Sequence, residues 1–160
     1  MLSKYIDPML SHVPIFFTPI GSIGAMFSLV YLSKLQHAVY SFLFTFRYDL
    51  VNASYRYGSK SKRWNDQIEQ RAYNAHANNW EAFIGYSVAV ILIIQSKIKS
   101  IEIDQLCNLF ILVRIAFTII YPLAFAVPLS MLRSSIFVLG LGIIVKLFVI
   151  AIPTLSETSV

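Results

Sequence analysis

Arg71-Ala72-Tyr73-Asn74-Ala75-His76-Ala77-Asn78-Asn79-Trp80-Glu81 runs without a break into the apolar stretch Ala82–Ile94. A bilayer-spanning helix takes roughly 20 residues, so the apolar stretch alone is too short to cross. It crosses only if the helix starts earlier, near Gln67, and carries polar side chains to membrane depth. At about 100° per residue, Gln67, Arg71, Asn74, Asn78 and Glu81 fall on one stripe, with His76 pointing to nearly the opposite face. Lipid offers such a stripe no hydrogen bonds, so it must be buried against other helices or line a wet cleft. That requirement makes this helix one member of a bundle.

The rest of the chain supplies the other members. Of 160 residues, 57% are hydrophobic and 13% charged, against about 25% charged in ordinary soluble domains. That balance excludes a disordered chain, a nucleic-acid-binding tail and most water-soluble enzymes. The first apolar run, Val13–Leu32, has Pro14 and Pro19 in its opening turns, where proline costs little. It reads as a retained signal anchor. Two further runs, Leu106–Val127 and Met131–Ile152, follow the second helix. The expectation is an all-α membrane protein, a bundle of four transmembrane helices in a single membrane domain, with spans near 13–32, 67–96, 106–127 and 131–152. The short apolar segment Ala38–Phe46 is either an interfacial helix or a continuation of the first helix. Cys107 lies in an apolar run and reads as a buried, inert thiol. There is no internal repeat, no Gly-rich phosphate loop and no Cys/His metal spacing.

Charge gives the orientation. The 33–66 connection carries Lys34, Arg47, Arg56, Lys60, Lys62 and Arg63 against Asp49 and Asp66. The opposite side carries Lys4, Lys97 and Lys99, offset by Glu102 and Asp104. Basic residues concentrate on the cytoplasmic side of membrane proteins, which places the basic loop in the cytoplasm and both termini opposite.

Ionisable residues at membrane depth are costly, and each is a candidate for function. Arg114 lies well inside the third span and needs a partner, for which Glu81 on the antiparallel second helix is a candidate. Thr118 and Tyr121 share its face. Arg133 marks the cytoplasmic end of the fourth helix, and Lys146 reads as structural.

These residues resemble a known family. Arg71 through Glu81 is similar to the R-x-x-x-A-H-x-N-x-x-E signature of the second helix of the MAPEG family, membrane-associated proteins of eicosanoid and glutathione metabolism that include microsomal glutathione transferases. Arg114-x6-Tyr121, then Pro128 and Arg133-Ser134, resemble further elements of that family. The resemblance implies a homotrimer in the endoplasmic reticulum or another internal membrane, the mitochondrial one included. It also implies glutathione as co-substrate, bound in a cleft between subunits, and a lipophilic substrate entering from the bilayer. Carried over, Asn78 and Glu81 hold polar parts of glutathione, Tyr121 hydrogen-bonds the tripeptide, and Arg133 is the catalytic residue beside the sulfur. Arg71, Asn74 and Arg114 complete the cofactor-binding set. A free thiol ionises near pH ~8.5 and reacts as the thiolate, so a fixed guanidinium favours the reactive form.

The implied function is a glutathione-dependent transferase or peroxidase acting on lipophilic electrophiles or lipid hydroperoxides. Glutathione-using members of the eicosanoid branch carry arginine where this chain has Asn74, and a basic residue where it has Ala77. The alternative is therefore a catalytically silent scaffold, or a lipid-binding accessory subunit of a larger membrane assembly. The orientation has its own test. Asn52-Ala53-Ser54 is a glycosylation sequon, and with the basic loop cytoplasmic it stays unmodified. Expression with microsomes should show no glycosidase-sensitive mass shift, whereas a shift would place that loop on the other side.

Overall fold

The computed structural model describes residues 10, 12–45 and 64–158. The chain forms α1 (Pro19–Tyr40), α2 (Trp64–Gln95), α3 (Ile101–Leu123) and α4 (Val127–Thr158), with a π-helical turn, Ser41–Thr45, after α1. No strand occurs among the described residues. Gln67–Gln95, Ile101–Leu123 and Val127–Pro153 are long and apolar enough to cross a membrane. α1 has 22 residues but is less apolar, because Lys34, Gln36 and His37 lie within it. The fold is thus an all-α membrane bundle of four helices, three of them long and apolar enough to span. α2 has 32 residues. At about 1.5 Å per residue it is longer than the hydrocarbon layer of about 30 Å, so its polar first turns project beyond the apolar slab. α2 packs against all three other helices, while α1 lies chiefly on α2 and α3.

Helix boundaries follow capping chemistry more closely than they follow apolar runs. The first helix, expected from Val13, begins at Pro19. Thr18 is its cap: its backbone is extended, its hydroxyl accepts from Gly21 N–H at 3.3 Å, and proline follows directly. The segment ahead of it is not helical and needs other partners. Asn108 of α3 provides them. Its Oδ1 accepts from Phe16 and Phe17 N–H at 2.9 and 3.0 Å, and its Nδ2 donates to the Phe17 and Asp104 carbonyls at 2.8 and 2.7 Å.

The choice left open for Ala38–Phe46 falls to continuation: α1 runs on to Tyr40 and through the π-helical turn to Thr45. Phe46 lies outside the described residues, as do the Asn52 sequon and the basic residues from Arg47 to Arg63. Buried polar contacts explain the extra length of α1. His76 Nδ1 of α2 lies 3.1 Å from both Ser33 Oγ and the Val30 carbonyl, and His37 Nε2 lies 3.9 Å from Glu69 Oε1. Ending α1 at Leu32 would take Ser33 from His76 and His37 from Glu69, leaving His76 the Val30 carbonyl.

α3 begins at Ile101 rather than Leu106. Ser100 caps it by accepting from Glu102 N–H at 3.2 Å, and Glu102 and Asp104 occupy the first turn, where the helix dipole favours acids. Pro122 supplies no N–H, and α3 stops at Leu123. The reversal therefore falls at 124–126, and α4 starts at Val127 rather than Met131, with Pro128 tolerated in its first turn. Lys146 Nζ pairs with Glu102 Oε1 at 2.8 Å, tying α4 to the start of α3. In the core Tyr86 stacks on Phe110 at 4.0 Å, its hydroxyl 2.5 Å from Ser22 Oγ. Cys107 is buried and free beside them.

Among the described residues, Asn108 makes the side-chain hydrogen bonds that tie the extended segment to α3. Asn108→Leu removes four hydrogen bonds and should cost about 1–3 kcal/mol. Hydrogen exchange should accelerate first at Phe16 and Phe17. Unchanged protection there would mean that the segment is held by something else.

Candidate functional site

Arg114 sits in the fourth turn of α3, only 2% exposed and among the largest fully buried side chains. A guanidinium at that depth requires acceptors in fixed places. Its partner is Asn79, not Glu81. Arg114 Nε and Nη2 donate to Asn79 Oδ1 at 3.1 and 2.5 Å, and Nη2 also donates to the Asn78 carbonyl at 3.0 Å. Asn79 Nδ2 donates to Thr118 Oγ1 at 2.9 Å, and Thr118 returns a bond to the Arg114 carbonyl at 2.8 Å. The guanidinium lies 4.4 Å from the Phe117 ring centroid, a further cation–π contact. Glu81 is exposed and, among the described residues, forms no ion pair with Arg114.

This closed circuit sets the register of α2 against α3 and so positions the groove beside it. Two adjoining hollows share Asn78 and Phe137. One, of about 250 Å³, is lined by Asn78, Glu81, Gly85, Arg114, Phe137 and Gly140, among others. The second, of about 240 Å³, is lined by Asn78, Phe117, Tyr121, Arg133, Ser134, Phe137 and Val138. Here the short 124–126 reversal decides the geometry. It folds the second turn of α4 back onto the last turn of α3, and the Arg133 guanidinium comes to lie 4.8 Å from the Tyr121 ring centroid. Arg133 Nη2 has one further side-chain contact, a long 3.4 Å bond to Ser130 Oγ. Its side chain forms part of the lining of the second hollow.

The residues singled out in the sequence thus divide. Asn78, Glu81, Arg114, Tyr121 and Arg133 line one continuous groove. Arg71 and Asn74 line neither hollow. Arg71 Nη1 donates to the Ala124 carbonyl, and its guanidinium covers the Phe125 ring at 4.2 Å, so Arg71 pins the α3–α4 reversal. Asn74 accepts from Asn78 Nδ2 through its carbonyl at 2.8 Å. Asn79 is the residue that stripe reading misses, because it lies about 100° around the helix from Asn78. Its only signal is a second adjacent amide at membrane depth. No cluster of His, Cys, Asp or Glu able to hold a metal occurs among the described residues. Chemically, the groove offers a guanidinium with free donors, a phenol and an amide at one end. Along the rest it offers apolar walls, with a carboxylate and the edge of a buried arginine.

The Arg114 circuit can be broken without touching the groove's lining. Asn79→Leu leaves the guanidinium with too few acceptors and should lower stability by about 2–3 kcal/mol, whereas Asn79→Asp restores an acceptor and should recover most of it. Unfolding in detergent micelles measures both. Equal losses for the two variants would mean that packing, not acceptance, is what Asn79 contributes.

No curated protein and no solved structure is matched by the chain. The family model described as the MAPEG family matches residues 23–153, well over half of the chain, and covers the spans, the arginine circuit and the groove together. The chain is an integral membrane protein and belongs to the MAPEG family.

Proposed function

We propose that the protein is a glutathione-dependent transferase or peroxidase whose second substrate is a lipophilic electrophile or lipid hydroperoxide. The observation that carries this reading is the meeting of Asn78, Tyr121 and Arg133 at one end of a groove that is otherwise apolar. Glutathione is a polar tripeptide with a thiol, and its co-substrates in this reading are membrane-soluble. A groove polar at one end and apolar along its length suits both. Arg133 holds the sulfur as thiolate: a fixed guanidinium that lowers a thiol's pKa by one unit contributes about 1.4 kcal/mol and about tenfold more thiolate near neutral pH. The same charge stabilises negative charge developing on a leaving group. Tyr121, face-on to Arg133, fixes its position, and Asn78 offers an amide to the peptide backbone of the ligand. Glu81 takes the ammonium group. Its exposure at membrane depth supports a homotrimer in which a neighbouring copy covers it, because an uncovered carboxylate in lipid is costly.

A second reading is favoured by one specific observation. Arg71 and Arg114 are both engaged by protein carbonyls and Asn79, and Asn74 and Ala77 are neutral. The groove is left with one arginine that has donors to spare, whereas glutathione brings two carboxylates. A scaffold or lipid-binding accessory subunit would need no more than that.

Thiolate absorbance during glutathione titration separates the two. The enzyme reading expects binding in the millimolar range or tighter and a thiolate band whose pH midpoint rises by about one unit in Arg133→Ala. With its higher midpoint, the variant loses thiolate at neutral pH and regains it in alkali. Arg133→Lys should retain part of the shift. No binding at saturating glutathione would sink the enzyme reading and leave the scaffold.

A further inference from the structure

A third hollow lies at the far end of the bundle from Arg133, where α2 ends and α3 begins. It has a volume of about 370 Å³, and its walls are Pro19, Ile20, Ile93, Ile94, Ile98 and Ile103. Lys97, Lys99, Ser100 and Asp104 complete the lining. The membrane-spanning stretches stop at Gln95 and resume at Ile101. Ile93, Ile94 and Ile103 therefore belong to stretches apolar enough to span, while both lysines belong to the loop between them. The backbone of Lys97 adopts φ 55, a left-handed turn that ends α2 and folds the 96–100 loop across the mouth of the hollow. Neither Lys97 nor Lys99 forms an ion pair among the described residues. Glu102, the nearest acid in sequence, is taken by Lys146 at 2.8 Å. Asp104 is the one carboxylate in the lining, which leaves the mouth with a net charge of +1 from Lys97, Lys99 and Asp104.

We propose that this hollow is a binding site for an anionic phospholipid, separate from the Arg133 groove. One acyl chain lies against Ile93, Ile94 and Ile103, and the phosphate is held between Lys97 and Lys99 at the edge of the slab. The commitment to a phospholipid rests on the match of position as well as charge. An apolar cavity opening at the boundary of the spans, with cations on its rim, has the same polarity profile as a lipid in the adjoining leaflet. Lysines near a membrane surface attract anionic headgroups, and here two of them are held over an apolar socket. Asp104 opposes the headgroup and tunes the preference.

The test uses the full chain in detergent, stripped of lipid and then given equal amounts of phosphatidylglycerol and phosphatidylcholine with matched acyl chains. Native mass spectrometry counts the lipid retained. The wild-type protein should prefer phosphatidylglycerol. K97Q/K99Q should lower that preference on the order of tenfold, and D104N should raise it. I94W, a substitution at a half-exposed position that fills the socket, should abolish it with both lysines in place. The charge-matched K60Q/K62Q should leave it unchanged. Equal losses in K97Q/K99Q and K60Q/K62Q would reduce the effect to net charge and overturn the site. A silent I94W would overturn the acyl-chain socket. Displacement of the lipid by soluble glycerol phosphate would show a phosphate site rather than a lipid site. Circular dichroism on each variant shows whether the helices remain; if I94W unfolds, I94F takes its place.

Discussion

A buried guanidinium met by neutral oxygens rather than by an ion pair is the constraint on which this bundle turns. Arg114 keeps its charge at ordinary pH and is almost fully buried. It must therefore be met by neutral oxygens arranged in advance. The Asn79 amide and the Asn78 carbonyl do this, and Thr118 locks the amide by taking its N–H and returning its own hydrogen to the Arg114 carbonyl. Such a circuit tolerates little sliding. A shift of α2 by one residue would rotate Asn79 away by about 100° and leave a bare cation in an apolar core. Packing of apolar side chains alone would not discriminate so sharply between neighbouring registers, since one aliphatic surface resembles the next.

The groove inherits its shape from that register. With Asn79 turned toward α3, Asn78 faces the hollow and Glu81 stands one turn farther along. The second determinant is the tight reversal between α3 and α4, which Arg71 pins through the Ala124 carbonyl and the Phe125 ring. It brings Arg133 over Tyr121. Three arginines that look equivalent in a list of membrane charges therefore have different work. Arg114 holds two helices in register, Arg71 holds a corner, and Arg133 lines the open hollow with a single long side-chain bond among the described residues. That division follows from geometry: all three guanidiniums rest on an aromatic ring, but Arg71 and Arg114 also donate to backbone carbonyls and the Asn79 amide, whereas Arg133 has a long bond to Ser130 Oγ.

Much of the architecture was legible in advance, and the errors have a common cause. The apolar runs located the helices, and the Arg71–Glu81 stretch announced a helix that carries polarity into the bilayer. The boundaries were misplaced by four to six residues at the starts of α1, α3 and α4, because apolar runs mark the lipid-facing length while caps mark where the backbone turns helical. Thr18-Pro19 and Ser100 ahead of two acids were visible cap signals that hydropathy overrode. Asn79 and Asn108 were not legible at all. Each satisfies partners 35 or more positions away in the chain, and nothing local to an asparagine says which distant groups it will serve.

By itself the sequence determined that this chain lives in a membrane, that it does so as four helices, and that its second helix belongs to the MAPEG pattern. Those properties follow from local composition and from short-range spacing along one helix, both of which are written in contiguous residues. Only the tertiary structure decided which charges are structural and which are available. That choice depends on what surrounds each side chain once the helices meet. The hydrogen-bonding capacity of Arg71, Arg114 and Arg133 is identical in the unfolded chain and is allocated differently only by packing.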